Sequence, residues 1–155
     1  DFGNAFSTFI AQNYGAGKKE RIRAGLKGAV ITAAVFGILV SAVVWIGARQ
    51  LMLIFVNAGE TEIISEGVRY LHIEGAFYCG IGCLFLLYGL YRGIGKPGMS
   101  VVLTVISLGT RVALAYLLSA VPSIGVAGIW WSVPIGWGLA DLVGLAYYIK
   151  KKAAA

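Results

Sequence analysis

Charge is scarce in this chain. Asp, Glu, Lys and Arg supply 13% of its 155 residues, against about a quarter in an ordinary soluble domain. With 59% apolar residues and a mean hydropathy of +0.82, that shortage excludes a soluble domain of this size. Histidine occurs once, and His72 has no third ligand to complete a metal site. Cysteine occurs twice, as Cys79 and Cys83 inside one apolar run. Their spacing puts them on one face of a helix, a poor geometry for bridging, so they read as small packing residues. Acidic residues are few, 7 against 13 basic, for a net charge of +6. The basic residues form short clusters between apolar runs rather than covering one face, so nucleic acid is excluded as a partner. Glycine is plentiful instead, at 22 residues, as in membrane helices whose backbones approach closely. The chain opens on Asp1 with neither an initiator Met nor a signal-peptide pattern and closes on three alanines. It is expected to be a piece of a longer chain.

A helix crossing the bilayer core needs roughly 20 apolar residues. Residues 28–47 satisfy this with no charge, between Lys27 and Arg49. Residues 63–91 form a second run, whose outer part carries Glu66, Arg69, His72 and Glu74 and whose remainder, Gly75 to Tyr91, is clean. Residues 99–120 are interrupted only by Arg111, and residues 126–149 only by Asp141. Residues 2–13 are apolar but too short to cross alone. The expected fold is therefore all-α and integral to the membrane: four full transmembrane helices plus the end of a fifth, stopped by Tyr14-Gly15-Ala16-Gly17.

Lys and Arg concentrate on the cytoplasmic side of membrane proteins. The first loop holds Lys18, Lys19, Arg21, Arg23 and Lys27, the third Arg92 and Lys96, and the tail Lys150 to Lys152. The second loop has Glu60 and Glu62 without a basic residue, and the fourth has no charge. This strict alternation is what consecutive spans demand. It predicts a multi-pass protein of the cell membrane, in contact with lipid, with its C-terminus in the cytoplasm. Trp45, Trp130 and Trp131 fall near outer ends, and Tyr88, Tyr91, Tyr147 and Tyr148 near inner ones, as interface anchors do.

Charged groups at membrane depth are costly and mark functional candidates. Arg111 and Asp141 lie about 18 and 14 Å from the cytoplasmic ends of their spans. They are expected to pair, either as a structural clasp or as a transport site. Glu66 and Arg69, three apart, are expected to neutralise each other. Glu74 has no basic residue three or four positions away. It is the best single candidate for a proton-exchanging or cation-attracting acid, the alternative being a carboxylate at the outer mouth met by water or by a helix outside this chain. Tyr78, one helical turn on, joins Glu74, Asp141 and Arg111 as a candidate for binding substrate or coupling ion. Pro134 removes the hydrogen bond to the Trp130 carbonyl and is expected to kink the last span, opening backbone to a cavity or simply packing.

Two nucleotide-like motifs fail. Gly93-Ile94-Gly95-Lys96-Pro97-Gly98 has no strand before it and contains Pro97, and Gly15-Ala16-Gly17-Lys18 lacks the first Gly and the Ser/Thr of a phosphate loop. No nucleophile, base and orienter set exists either, so no catalytic residue is assigned. Gly89 and Gly93 instead mark close helix packing.

Three stretches resemble the multidrug and toxic compound extrusion (MATE) family. Gln12-Asn13-Tyr14-Gly15-Ala16-Gly17 is similar to the stretch closing the family's eighth helix. Tyr91-Arg92-Gly93-Ile94-Gly95-Lys96-Pro97 resembles the turn after the tenth, and Arg111-Val112-Ala113-Leu114-Ala115-Tyr116 a pattern in the eleventh. The likeness covers nearly the whole chain and implies the C-terminal lobe of a twelve-helix antiporter. Such a protein would export lipophilic or cationic compounds in exchange for protons or sodium ions, with no other cofactor, and with an N-terminal lobe of the same chain as partner. The resemblance also implies an acid near Ile81 in the sodium-coupled branch. That position is apolar here, so an acid in the N-terminal lobe is an equal candidate for coupling. Two other functions remain to be weighed: a flippase of lipid-linked oligosaccharides, whose cavity would carry more basic residues than Arg111 alone, and a membrane-embedded enzyme using Glu74 and His72.

Overall fold

The computed structural model describes residues 2–153, which form six helices: α1 (Phe2–Gly15), α2 (Lys19–Leu53), α3 (Thr61–Gly75), α4 (Tyr78–Gly93), α5 (Pro97–Ser119) and α6 (Ala127–Ala153). The two glycine-rich stretches near Gly17 and Gly95 end helices by the same device. Gly17 has φ +67°, with hydrogen bonds from Lys18 N–H to the Asn13 carbonyl (2.9 Å) and from Gly17 N–H to the Tyr14 carbonyl (3.1 Å). Gly95 has φ +73°, with Lys96 N–H on the Tyr91 carbonyl (2.8 Å) and Gly95 N–H on that of Arg92 (3.2 Å). Both are Schellman caps, which need a residue in the left-handed region and so favour Gly. Pro97 then opens α5, where its missing N–H costs nothing.

Contacts fix the direction of every helix. Gly3 lies against Phe85, and Gly93 against Ser7 and Ile10, so α1 and α4 run parallel. Gly80 faces Trp137 and Asp141, and Gly144 faces Leu87, so α6 runs with them. Helix α2 is antiparallel to α3 and α4, since Gly67 meets Met52, Gly75 meets Val44 and Gly37 meets Cys79. Helix α5 is antiparallel to α6, since Gly128 meets Leu118 and Gly144 meets Leu103. The α1–α2 turn, the α4–α5 turn and the end of α6 therefore share one end of the bundle, where the basic clusters lie. The Glu60–Glu62 turn and the uncharged α5–α6 turn share the other.

Helix α4 is the hub. One side packs with α5 and α6 in a core of Leu84, Leu87, Tyr91, Leu103, Trp137 and Ala140. The other packs with α1 and α2 through Phe6, Ile10, Ala29, Leu86 and Leu90. Lipid tails are as apolar as these side chains, so close packing rather than hydrophobic transfer must hold the helices together. Glycine supplies that closeness. A Cβ on Gly89 would lie 2.8 Å from the Gly3 carbonyl oxygen, and one on Gly93 2.7 Å from Ile10.

Three helices, α2, α5 and α6, are each long and apolar enough to cross a membrane, and α3 with α4 makes a fourth when taken as one broken span. Large apolar side chains such as Phe36 (68% exposed) and Ile46 (81%) cover faces that only lipid or another apolar surface can meet. Four features differ from those read in the sequence. Lys19, Arg21, Arg23 and Lys27 belong to the first turns of a 35-residue helix rather than to a loop. The run 63–91 is two helices bent by 47° at Ala76–Phe77. Helix α6 runs as one continuous helix through Pro134, and the break lies in the second full span. Tyr91, expected at the interface, is 1% exposed and donates to the Gly144 carbonyl at 2.6 Å.

Candidate functional site

The break between α3 and α4 gathers the polar side chains. The Phe77 N–H reaches only the Glu74 carbonyl (3.1 Å), and Ala76 N–H meets the His72 carbonyl at a long 3.4 Å, so α3 unwinds just after Glu74. Gly75 is buried at this point, where a Cβ would lie 3.0 Å from the Val44 side chain of α2. Glu74 is itself 8% exposed. Arg111 of α5 lies within its electrostatic reach, and Tyr70 feels Glu74, Tyr78 and Arg111 together. Tyr70 escaped the sequence reading. Its signal was the spacing Tyr70, Glu74, Tyr78, four apart and hence near one helical face.

Asp141 stands apart from this cluster. The expected Arg111–Asp141 pair does not form, and among the described residues the ion pair present is Glu66–Arg69, at 4.0 Å and exposed on both sides. The α5–α6 register explains why. Arg111 packs its aliphatic stem on Gly136, where a Cβ would lie 2.6 Å from its Cγ, and that places it more than a turn outward of Asp141. Depth counted separately from each helix end could not reveal this offset. Asp141 is 9% exposed, faces α4 near Gly80 and Cys83, and leaves Oδ1 without a hydrogen-bond partner.

His72 is occupied structurally. Its Nε2 lies 3.0 Å from the Trp45 carbonyl, and its ring stacks on that of Trp45 with centroids 4.5 Å apart. It is not poised beside Glu74 for chemistry. Among the described residues no group of three or more His, Cys, Asp and Glu side chains could hold a metal ion.

A cleft of 790 Å³ opens between the start of α1, the middle of α2, α4 and the start of α5. Phe36, Ile81, Phe85, Tyr78 and Tyr88 give it an apolar, aromatic wall. Most polar groups in it are already engaged. Thr104 donates to the Ser100 carbonyl (2.9 Å), Ser100 to that of Tyr88 (3.3 Å), and Arg92 to Asn4 Oδ1 (3.1 Å). Of the residues singled out in the sequence, Tyr78 and Arg92 line this cleft, whereas Glu74, Arg111 and Asp141 do not. Gln12, Asn13 and Gly15 lie in the capped end of α1, with Asn13 Nδ2 on the Phe9 carbonyl at 2.8 Å, and Gly93 lies in the α1–α4 contact.

Comparison with known proteins agrees with this architecture. The chain is 23% identical over 147 residues to a protein described as probable multidrug resistance protein YoeA, of Bacillus subtilis (strain 168), covering 94% of this chain and 31% of that one. It superposes on an inward-facing multidrug resistance MATE family transporter of the MOP superfamily with a TM-score of 0.88 and 21% identity. That match covers 98% of this chain and 35% of the other. The chain thus spans about a third of the length of these relatives. The sequence model of the MatE family matches residues 2–117. With most of its length so matched and its helices arranged as in a MATE lobe, the chain belongs to the MatE family, whose members are transporters and not enzymes.

Proposed function

We propose that this chain is the C-terminal lobe of a secondary active multidrug antiporter of the cell membrane, exporting lipophilic or cationic compounds in exchange for protons or sodium ions. The observation that carries the reading is the 790 Å³ aromatic cleft, in which Asn4, Arg92, Ser100 and Thr104 are already hydrogen-bonded within the protein. Such a wall accepts many apolar molecules and selects weakly among them. Ring faces of Phe36, Phe85, Tyr78 and Tyr88 can attract a cation. Arg92 opposes one, so a preference for cations must come largely from the N-terminal lobe across the cleft. One basic residue on the wall is too little for the polyanionic head of a lipid-linked oligosaccharide, which disfavours the flippase reading. The basic end of the bundle, with the C-terminus, faces the cytoplasm.

The test is efflux of a fluorescent lipophilic cation from cells carrying the full-length protein. Gly82 lines the cleft, with open space beyond ordinary contact with Ala33 at 3.9 Å. Gly82→Trp should fill the cleft and abolish efflux at unchanged membrane abundance. Wild-type protein that exports no such compound, or efflux undiminished in Gly82→Trp, refutes the reading.

A further inference from the structure

We propose that Asp141, buried on α6 with Oδ1 unpartnered, is a proton-binding site of this lobe, separate from the Glu74 cluster and from the cleft. The inference rests on the antiport reading for its role in transport, and on geometry for its existence. Asp141 lies on α6 one turn after Trp137 and faces α4, where a Cβ on Gly80 would lie 3.9 Å from its Oδ2. It is 9% exposed, and Oδ1 has no hydrogen-bond partner.

An ionised carboxylate in such a place needs a cation or several donors. The structure supplies neither. From α4 the titratable group facing it is the Cys83 thiol, while Cys79 points to the Ala34 carbonyl, Tyr91 to the Gly144 carbonyl and Arg92 to Asn4. From α5 the charged residue is Arg111, which lies beside Gly136 and acts on Glu74 and Tyr70. From α3, Glu74 and Tyr70 belong to that second group. On α6 itself the basic residues begin at Lys150, more than two turns away.

A proton meets the need and a metal ion does not. A hard cation is held by a shell of oxygen ligands, and here the neighbours are a thiol, the backbone at Gly80 and the Trp137 side chain. One proton passes from hydronium to the carboxylate, an O–H bond forms, and water is left. The neutral acid then suits its apolar walls, with Cys83 near it. Return of the proton to water restores the carboxylate.

The test uses full-length protein in lipid vesicles, with infrared difference spectra recorded as pH is stepped. Proton-gradient-driven uptake of a fluorescent lipophilic cation is followed in the same vesicles. The carbonyl stretch of a protonated carboxyl is expected in wild type, lost in Asp141→Asn and shifted in Cys83→Ala. Gradient-driven transport in Asp141→Asn should fall to the undriven rate, while binding of the cation to solubilised protein is retained. A carboxyl band or proton-driven transport that survives Asp141→Asn overturns the proposal. If Asp141→Asn does not fold, the band in Cys83→Ala decides: a shift supports the site and an unchanged frequency overturns it. If wild type shows no gradient-driven transport, the antiport reading fails by itself, and the infrared band still decides the proton site.

Discussion

Replacing three glycines of the two capped stretches by Ala should have three different outcomes, because each glycine is there for a different reason. Gly93 faces α1: a Cβ there would lie 2.7 Å from Ile10 Cβ and Cγ2 and 2.8 Å from the Ser7 carbonyl oxygen. Ile10 is fully buried and Ser7 presents backbone, so neither can step aside without separating the helices. Overpacking of this kind costs about 1–3 kcal/mol, and the helix propensity of Ala returns at most ~1 kcal/mol. The net loss for Gly93→Ala is then about 0–2 kcal/mol. Gly95 meets nothing within 4 Å, but its φ of +73° makes Ala cost about 1–2 kcal/mol through the backbone alone. Gly15 is helical with nothing within 4 Å, so Gly15→Ala should be neutral or stabilising by up to ~1 kcal/mol. Reversible unfolding in mixed micelles, followed by the fluorescence of the four tryptophans, ranks the variants. If Gly93→Ala is as stable as Gly15→Ala, the close α1–α4 contact is wrong.

Other expectations follow from single contacts. Tyr91→Phe removes the buried bond to the Gly144 carbonyl and should cost about 0.5–1.5 kcal/mol in the same unfolding assay. His72→Leu loses the Trp45 carbonyl contact and should cost about 1 kcal/mol, while full-length protein keeps its transport; loss of transport at full abundance would return His72 to the functional site. Arg69→Ala breaks an exposed pair and should change stability by less than about 1 kcal/mol. A single cysteine placed at Ala58, in a background lacking Cys79 and Cys83, should react with an impermeant thiol reagent from outside intact cells. One at Ala153 should react only after the membrane is opened, and the reverse pattern would invert the topology.

The sequence disclosed what depends on local pattern. The uncharged run 28–47 and the alternation of basic and non-basic turns required only composition along the chain, and the helix directions place the basic clusters together at one end. What escaped depends on neighbours. Gly75 to Tyr91 is apolar and free of proline, so nothing local announces the break at Ala76–Phe77, where Gly75 is pressed against Val44. Pro134 lies inside α6, which is continuous through it, as membrane helices tolerate a proline. Near it Ser132, 2% exposed, donates to the Ile129 carbonyl at 2.6 Å. Arg111 and Asp141 looked matched in depth until the glycine contacts set the register. The aromatic cleft joins four helices and is invisible in any one of them.

Ion-driven export of lipophilic compounds is the activity proposed for the protein that carries this lobe. Purified full-length protein in sealed vesicles, given a fluorescent lipophilic cation and then an imposed proton or sodium gradient, tests it directly. Movement of the compound against its own gradient, driven by one of the two ions and abolished by Gly82→Trp, is the expected result. Movement that ignores both gradients, or none at all from well-folded protein, would contradict it.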